Sequence, residues 1–203
     1  MSLAVPVQIL VALVAATFCF AIGGINPATI VGRRRGIEVS SVGSGNPGAT
    51  NLGRVIGRKW GIAVGLLDVL KGFLPTFVVL RTLGTWVALL GGVACVLGHI
   101  YSPYLGGRGG KGVATSFGAI LAVAPWVALV AVVVFAVALP FVKRLGDASV
   151  LATGFLLVAG VVLTVRATTD IDRGTGVWLV VMALLVLARH RRNIAIWAGR
   201  LTG

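Results

Sequence analysis

Four stretches of this chain carry polar side chains at spacings suited to gripping an anion. The first is Gly43-Ser44-Gly45-Asn46-Pro47-Gly48-Ala49-Thr50-Asn51-Leu52-Gly53-Arg54, a run of small and amide-bearing residues that includes an arginine. Glycine allows positive φ and close backbone approach, so the amides of Gly45 and Gly48 are expected to line a concavity for phosphate. Ser44, Asn46, Thr50 and Asn51 add neutral donors, and Arg54 adds a planar fork that matches phosphate. Thr50-Asn51 could also open a helix, whose N-terminus favours an anion. The plain alternative is a flexible linker with a helix cap. Such linkers are rich in Gly and Ser, however, and do not typically combine two Asn, a Thr and a spaced Arg.

The second stretch is Gly106-Gly107-Arg108-Gly109-Gly110-Lys111-Gly112, leading into Val113-Ala114-Thr115-Ser116. It is not a nucleotide-binding P-loop, because Leu105 stands where the first glycine is needed and Gly112 where a magnesium-binding hydroxyl belongs. A glycine-rich turn presenting Arg108 and Lys111 before a helix still describes a cradle for phosphate, with Gly109 and Gly110 at its centre. A basic turn obeying the charge bias of membrane proteins is the competing reading. The third is Asp68 and Lys71, three residues apart inside an apolar run and so on one helix face. Charges at such depth face the bundle interior in pairs, and a structural ion pair is expected, the alternative being that Lys71 contacts substrate while Asp68 holds it. The fourth is His190-Arg191-Arg192-Asn193, which either complements a helix dipole or turns His190 and Asn193 towards a phosphate. Ser149 follows Lys143-Arg144, where an N-cap is the simpler role. His99 reads as a hydrogen-bonded helix-end residue.

The rest of the chain is oil. Of 203 residues 58% are hydrophobic and 11% charged, with mean hydropathy +1.03. Ordinary soluble domains carry about 25% charged residues, so the composition excludes a soluble protein. Apolar runs occupy 3–31, 61–80, 85–98, 113–142, 149–165 and 177–188, against the roughly 20 residues a crossing needs. The first is too long and lacks the basic start of a signal peptide, so it is read as a first membrane helix. One domain covers 1–203. Cys19 and Cys95 both lie in apolar runs, as small packing residues. The five carboxylates are scattered, so neither a metal nor another cofactor is expected.

Eighteen Lys and Arg against five acids give +13. In a soluble protein that excess would suggest nucleic acid; here it reads as cytoplasmic-loop charge, and no nucleic-acid partner is expected. Fourteen of the eighteen fall in 33–59, 108–111, 143–144 and 189–200, with Arg81, Arg166 and Arg173 in the other turns and Lys71 within a run. A single crossing over 113–142 would put two of these clusters on opposite sides. The conflict vanishes if 113–142 is a hairpin bent at Pro125-Trp126, with arms of about 12 to 17 residues too short for an ordinary crossing. The expected fold is an all-α polytopic membrane protein of about seven helices, N-terminus outside and C-terminus cytoplasmic, with every polar motif on one face.

The motifs in this order resemble the bacterial acyl-phosphate:glycerol-3-phosphate acyltransferases, the PlsY family: Ser44 to Asn51 with Arg54, Asp68 with Lys71-Gly72, His99 with Gly109 to Gly112, Ser149, and His190 with Asn193-Ile194. The resemblance runs from about Ser44 to Asn193. It implies a seven-helix bacterial inner-membrane enzyme that moves a fatty acyl group from acyl phosphate to glycerol 3-phosphate, giving lysophosphatidic acid and phosphate. It implies catalytic or phosphate-binding roles for Ser44, Asn46, Thr50, Asn51, Arg54, Lys111, Ser149, His190 and Asn193, with membrane lipid as the remaining partner.

Acyl phosphate is a mixed anhydride with phosphate as its leaving group, so positioning and charge stabilisation are the main requirements. The His-to-acid spacing of soluble acyltransferases is absent: five residues beyond His99 is Tyr104, and five beyond His190 is Ala195. A phosphate oxygen of the substrate is therefore expected to take the hydroxyl proton, with His190 the protein base to test. Two other classes compete. An anion transporter would use the same buried charges and broken helices, and a lipid-binding relative would keep the fold without turnover.

Overall fold

Helices that are apolar all round must be covered by other helices or by lipid. The computed structural model describes residues 4–197 and Gly199, so Arg200 of the last basic cluster lies outside the described residues. Among them the chain forms ten α-helices: α1 Val5–Gly24, α2 Pro27–Arg33, α3 Ala49–Ile56, α4 Arg58–Leu83, α5 Thr85–Ile100, α6 Val113–Val123, α7 Pro125–Val142, α8 Leu145–Arg166, α9 Asp170–Arg189 and α10 Arg191–Trp197. Six segments are long and apolar enough to cross a membrane, built on α1, α4, α5, α7, α8 and α9. Leu66, Val133 and Val158 stand exposed on their outer faces, the faces that lipid covers. With the shorter α6 this gives the seven expected helices. The protein is an all-helical, multipass membrane protein.

Helix–helix packing in lipid depends on close approach of backbones, and small residues permit it. A Cβ on Gly23 would run into the Cys95 carbonyl and one on Gly98 into the Phe20 carbonyl, so α1 lies directly on α5. Gly72 against the Thr115 carbonyl and Gly118 against the Val69 carbonyl do the same for α4 and α6. Gly160 and Gly176 face each other across α8 and α9. The main core fills the space among α5, α6 and α9 with Val96, Ile100, Ile120, Leu179 and Met182.

The segment 113–142 does reverse. Lys111 before α6 and Asp147 at the start of α8 both hydrogen-bond to Asn193, so α6 leaves one end of the bundle and α7 returns to it. Pro125 caps the reversal as the first residue of α7, and Ala124 before it leaves helical geometry, at φ −133° and ψ 69°. The arms are less equal than expected. With 11 residues α6 is about 16 Å long, half a crossing. With 18 residues α7 is long enough to span. The first apolar run also departs from expectation, because it breaks into α1 and α2 at Ile25-Asn26. Pro27 has no amide to continue the helix, and the Asn26 side chain accepts from Thr29 N at 2.8 Å, capping a new one.

The helix directions group the charges. The loops around Arg54, Lys111, Arg144 and Arg192 share one end of the bundle, while Arg81, Arg166 and Arg173 belong to the other. Because Gly118 holds α6 flush against α4, Gly118→Ala should destabilise the protein by about 1–3 kcal/mol through overpacking. The check is a lower thermal midpoint in detergent than for Gly154→Ala, where a Cβ meets nothing within 4 Å.

Candidate active site

The first loop is organised from below by Asn51, which is 1% exposed. Its oxygen accepts from Ser44 N at 2.9 Å, and its amide donates to the carbonyls of Val39 at 3.1 Å and Val42 at 2.9 Å. Both protons of that amide are thereby occupied, so Asn51 shapes the loop rather than offering a donor. The glycine amides are occupied as well: Gly45 N donates to Val42 O at 3.0 Å and Gly48 N to Asn46 O at 2.8 Å. This corrects the expectation of a glycine nest. Gly45 instead supplies a turn at φ +68°, and Gly48 is the extended N-cap of α3. The first α3 amide to bond backwards is that of Leu52, to Gly48 O. The amides of Ala49 and Thr50 are thus left at a helix N-terminus. Ser44, Thr50 and Arg54 are exposed there, and Asn46 is half-buried.

The second loop packs against the end of α5. Gly109 N donates to Ile100 O at 3.0 Å and Gly110 N to His99 O at 3.1 Å. A Cβ on Gly109 would strike the His99 carbonyl, and one on Gly110 the His99 Nε2 atom. These amides too are occupied, and the two glycines serve close approach. Arg108 is exposed and makes no side-chain hydrogen bond among the described residues, whereas Lys111 turns inward. Its Nζ donates to Asn193 Oδ1 at 2.7 Å, and Asn193 Nδ2 donates to Asp147 Oδ1 at 2.8 Å. Gly146 leaves room for that amide, since a Cβ there would lie 2.7 Å from Asn193 Nδ2. Three stretches far apart in the chain are thereby tied into one hydrogen-bonded line.

His190 caps α9, buried, with Nδ1 2.9 Å from Val186 O. A carbonyl can only accept, so Nδ1 carries the proton and neutral His190 keeps its lone pair on Nε2. Burial holds its pKa below the ordinary histidine value; Lys111 lowers it further, while the Val186 bond and Asp147 oppose the shift. Ser149 is the fifth residue of α8, not its cap, and gives its proton to Leu145 O at 2.8 Å. With its proton so engaged, it presents lone pairs rather than a donor. Lys111 is pushed below the ordinary lysine value by burial and by Arg189, Arg192 and Arg54, against the pull of Asp147. The groups that act on Lys111 are thus three arginines and one carboxylate. Asp68 and Lys71 pair at 2.9 Å, both buried.

Asp147, Arg189 and Asn26 were missed among the site's supports. Arg189 reaches Gly109 O at 3.4 Å, and Asn26 Nδ2 donates to Pro47 O at 2.8 Å. A lone acid opening an apolar helix beside Lys143-Arg144 was the legible signal for Asp147. For Asn26 it was Asn-Pro inside an apolar run.

Fold and site together define a multipass helical membrane protein with a cluster of cationic and neutral polar side chains at one end. The family described as glycerol-3-phosphate acyltransferase matches residues 13–199. A glycerol-3-phosphate acyltransferase of Aquifex aeolicus is 37% identical over 87% of this chain and 90% of its own. One of Myxococcus xanthus is 43% identical over 82% and 84%. The crystal structure of PlsY, an integral membrane glycerol 3-phosphate acyltransferase, in its glycerol 3-phosphate form superposes with a TM-score of 0.83 at 36% identity, covering 93% of each chain. Its lysophosphatidic acid form gives 0.81 at 35%, with the same coverage. The chain belongs to the glycerol-3-phosphate acyltransferase family.

Because Asp147 helps hold the proton on Lys111, Asp147→Asn should shift loss of phosphate affinity at alkaline pH to a lower pH. Removing an anion favours neutral lysine, so the direction is fixed. Titrating glycerol 3-phosphate affinity of both proteins between pH 7 and 10 checks it, and an unmoved alkaline limb would contradict the arrangement.

Proposed function

We propose that this protein transfers a fatty acyl group from acyl phosphate to glycerol 3-phosphate, releasing lysophosphatidic acid and inorganic phosphate. The observation that carries the reading is the Lys111–Asn193–Asp147 line, with Arg54, Arg189 and Arg192 close enough to act on Lys111. Two phosphorylated substrates need such a grip, and the relatives' names and the two ligand forms of PlsY support it. The reaction takes place in a single domain of the bacterial inner membrane. The basic end faces the cytoplasm, which puts the N-terminus outside and the C-terminus inside.

In this reading Arg54 and Lys111 hold phosphoryl oxygens, while Ser44, Asn46 and Thr50 supply neutral donors at the first loop. Arg108, exposed beside Lys111, is an outer contact for an incoming phosphate. Asn51, Gly45, Gly48, Gly109 and Gly110 shape the two cradles. Asn193 fixes Lys111, and His190 and Ser149 line the pocket as acceptors. The glycerol hydroxyl oxygen attacks the acyl carbonyl carbon and the carbon–oxygen bond to phosphate breaks. The hydroxyl proton passes to a phosphate oxygen of the substrate.

Purified protein in lipid vesicles should convert labelled glycerol 3-phosphate and palmitoyl phosphate to lysophosphatidate with one phosphate per turnover. Palmitoyl-CoA and acyl carrier protein run beside it should be inactive as donors, and product from them alone would overturn the donor assignment. His190→Gln should retain measurable turnover, with kcat reduced about tenfold or less. Abolished turnover with glycerol 3-phosphate still bound would instead make His190 the base.

A further inference from the structure

The two cradles also meet at a place the reaction does not touch, the break between α1 and α2. Three consecutive residues there each hold a different partner. The Gly24 carbonyl accepts from Ser102 Oγ at 2.6 Å. The Ile25 carbonyl accepts from Lys71 Nζ at 2.6 Å. Asn26 Nδ2 donates to Pro47 O at 2.8 Å. Ser102 begins the turn that carries Lys111, its own carbonyl accepting from Gly107 N at 2.8 Å. Pro47 lies in the loop between Ser44 and Arg54.

The middle bond is unusual. In an unbroken helix the Ile25 carbonyl would accept from Thr29 N. Here the Asn26 side chain takes that amide at 2.8 Å, and Pro27 has none to give, so the carbonyl is left for Lys71. Lys71 is 9% exposed and Asp68 3%, and a buried ammonium is tolerated only with well-placed acceptors. Asp68 Oδ1 at 2.9 Å and the Ile25 carbonyl are those acceptors. His99 lies beside the pair, its Nδ1 3.6 Å from Asp68 Oδ1 and beyond hydrogen-bond distance, and its carbonyl accepts from Gly110 N at 3.1 Å. The buried pair thus reaches one cradle through Asn26 and Pro47, and the other through Ser102.

We propose that Lys71 is a positioning residue that sets the register of both phosphate cradles by fixing the Gly24–Ile25–Asn26 break. The proposal rests on the acyl-transfer reading for its kinetic consequence, but its structural consequence stands apart from it. Hydrogen exchange and turnover are to be measured on the full chain in lipid nanodiscs. Lys71→Met, made with Asp68→Asn so that no lone charge is buried, should raise exchange at least tenfold in both 43–54 and 106–112. It should lower kcat of the folded protein at least tenfold. Ser102→Ala should loosen 106–112 alone and Asn26→Asp 43–54 alone. Each should add little to the turnover defect when combined with the Lys71 change, because both act through the same break. Unchanged exchange in either cradle, full additivity, or a lower thermal midpoint with kcat intact overturns the proposal. If the double variant does not fold, the two single variants decide, and absence of their separate effects overturns it. A wild-type protein without acyl transfer would sink the functional reading while leaving the exchange result to judge this one.

Discussion

A lysine ammonium inside an apolar bundle has nowhere to go but towards oxygen, and that constraint organises this molecule. Lys71 sits 13 residues into α4, about 20 Å along its axis from Arg58. Buried at 9% exposure, it is largely shielded from solvent, so the bundle must bring acceptors to it. One is a carboxylate on the same helix, and the other is a backbone carbonyl that exists only because the first membrane helix is broken. The break is therefore no defect in packing. It converts an apolar span into a junction from which the neighbouring carbonyl and side chain stitch two loops to the core. Breaking helices inside lipid leaves backbone groups needing partners, which is tolerable where neighbouring side chains satisfy them.

Above that junction the electrostatics are deliberately unbalanced. Lys111, Arg54, Arg189 and Arg192 face a single carboxylate, Asp147. Asn193 keeps Lys111 and Asp147 apart yet linked, its oxygen towards the cation and its amide towards the anion. An acceptor-only carboxylate fixes which way that amide faces, since only Nδ2 can serve it. In the proposed reaction a phosphorylated substrate meets this cationic surplus. A cation–phosphate contact near 4 Å gains about 4 kcal/mol at an effective dielectric of 20, before desolvation is subtracted. Neutral donors at the first loop add hydrogen bonds without adding buried charge.

Much of this was legible before any coordinates. Composition gave the membrane class, and the spread of Lys and Arg demanded the reversal at Pro125, because no straight crossing could reconcile Lys143 with Lys111. The loops around Ser44–Arg54 and Gly106–Lys111 announced themselves as the polar islands of an apolar chain. What each residue does within them was harder to read. Asn51 looks like Asn46 in sequence, yet one amide is consumed by carbonyls twelve and nine residues away while the other stays half-buried near the loop's edge. Glycines that resemble a phosphate nest serve close approach to His99, a contact visible only once α5 and the loop are packed. Side-chain pairings across long separations, such as Asn193 with Asp147, leave no periodic trace. The split of residues 3–31 was hidden because hydropathy does not register a hydrogen bond moved from Ile25 to Asn26.

The same contacts bear on why the site suits direct transfer rather than a covalent intermediate. A serine nucleophile needs a base to take its proton. The Ser149 proton is already given to Leu145 O, which leaves none there for the free Nε2 of His190 to take. Cys95, within α5, donates to the Lys71 carbonyl at 3.1 Å and is sealed in the core. The polar groups that remain outward-facing are donors and cations at the rims of two loops. Guanidinium and amide groups do not attack, and the exposed Ser44 and Thr50 hydroxyls have no hydrogen-bonded side-chain base among the described residues. An acyl phosphate brings a leaving group that needs no protonation by the protein, and a second phosphorylated substrate brings oxygens able to accept a proton. For that pair, two loops locked in mutual register are most of what catalysis requires, because the barrier then falls chiefly through orientation and charge stabilisation. The buried scaffold and the surface chemistry are in this sense one device: the rigidity that Lys71 imposes below is what lets simple electrostatic contacts act selectively above.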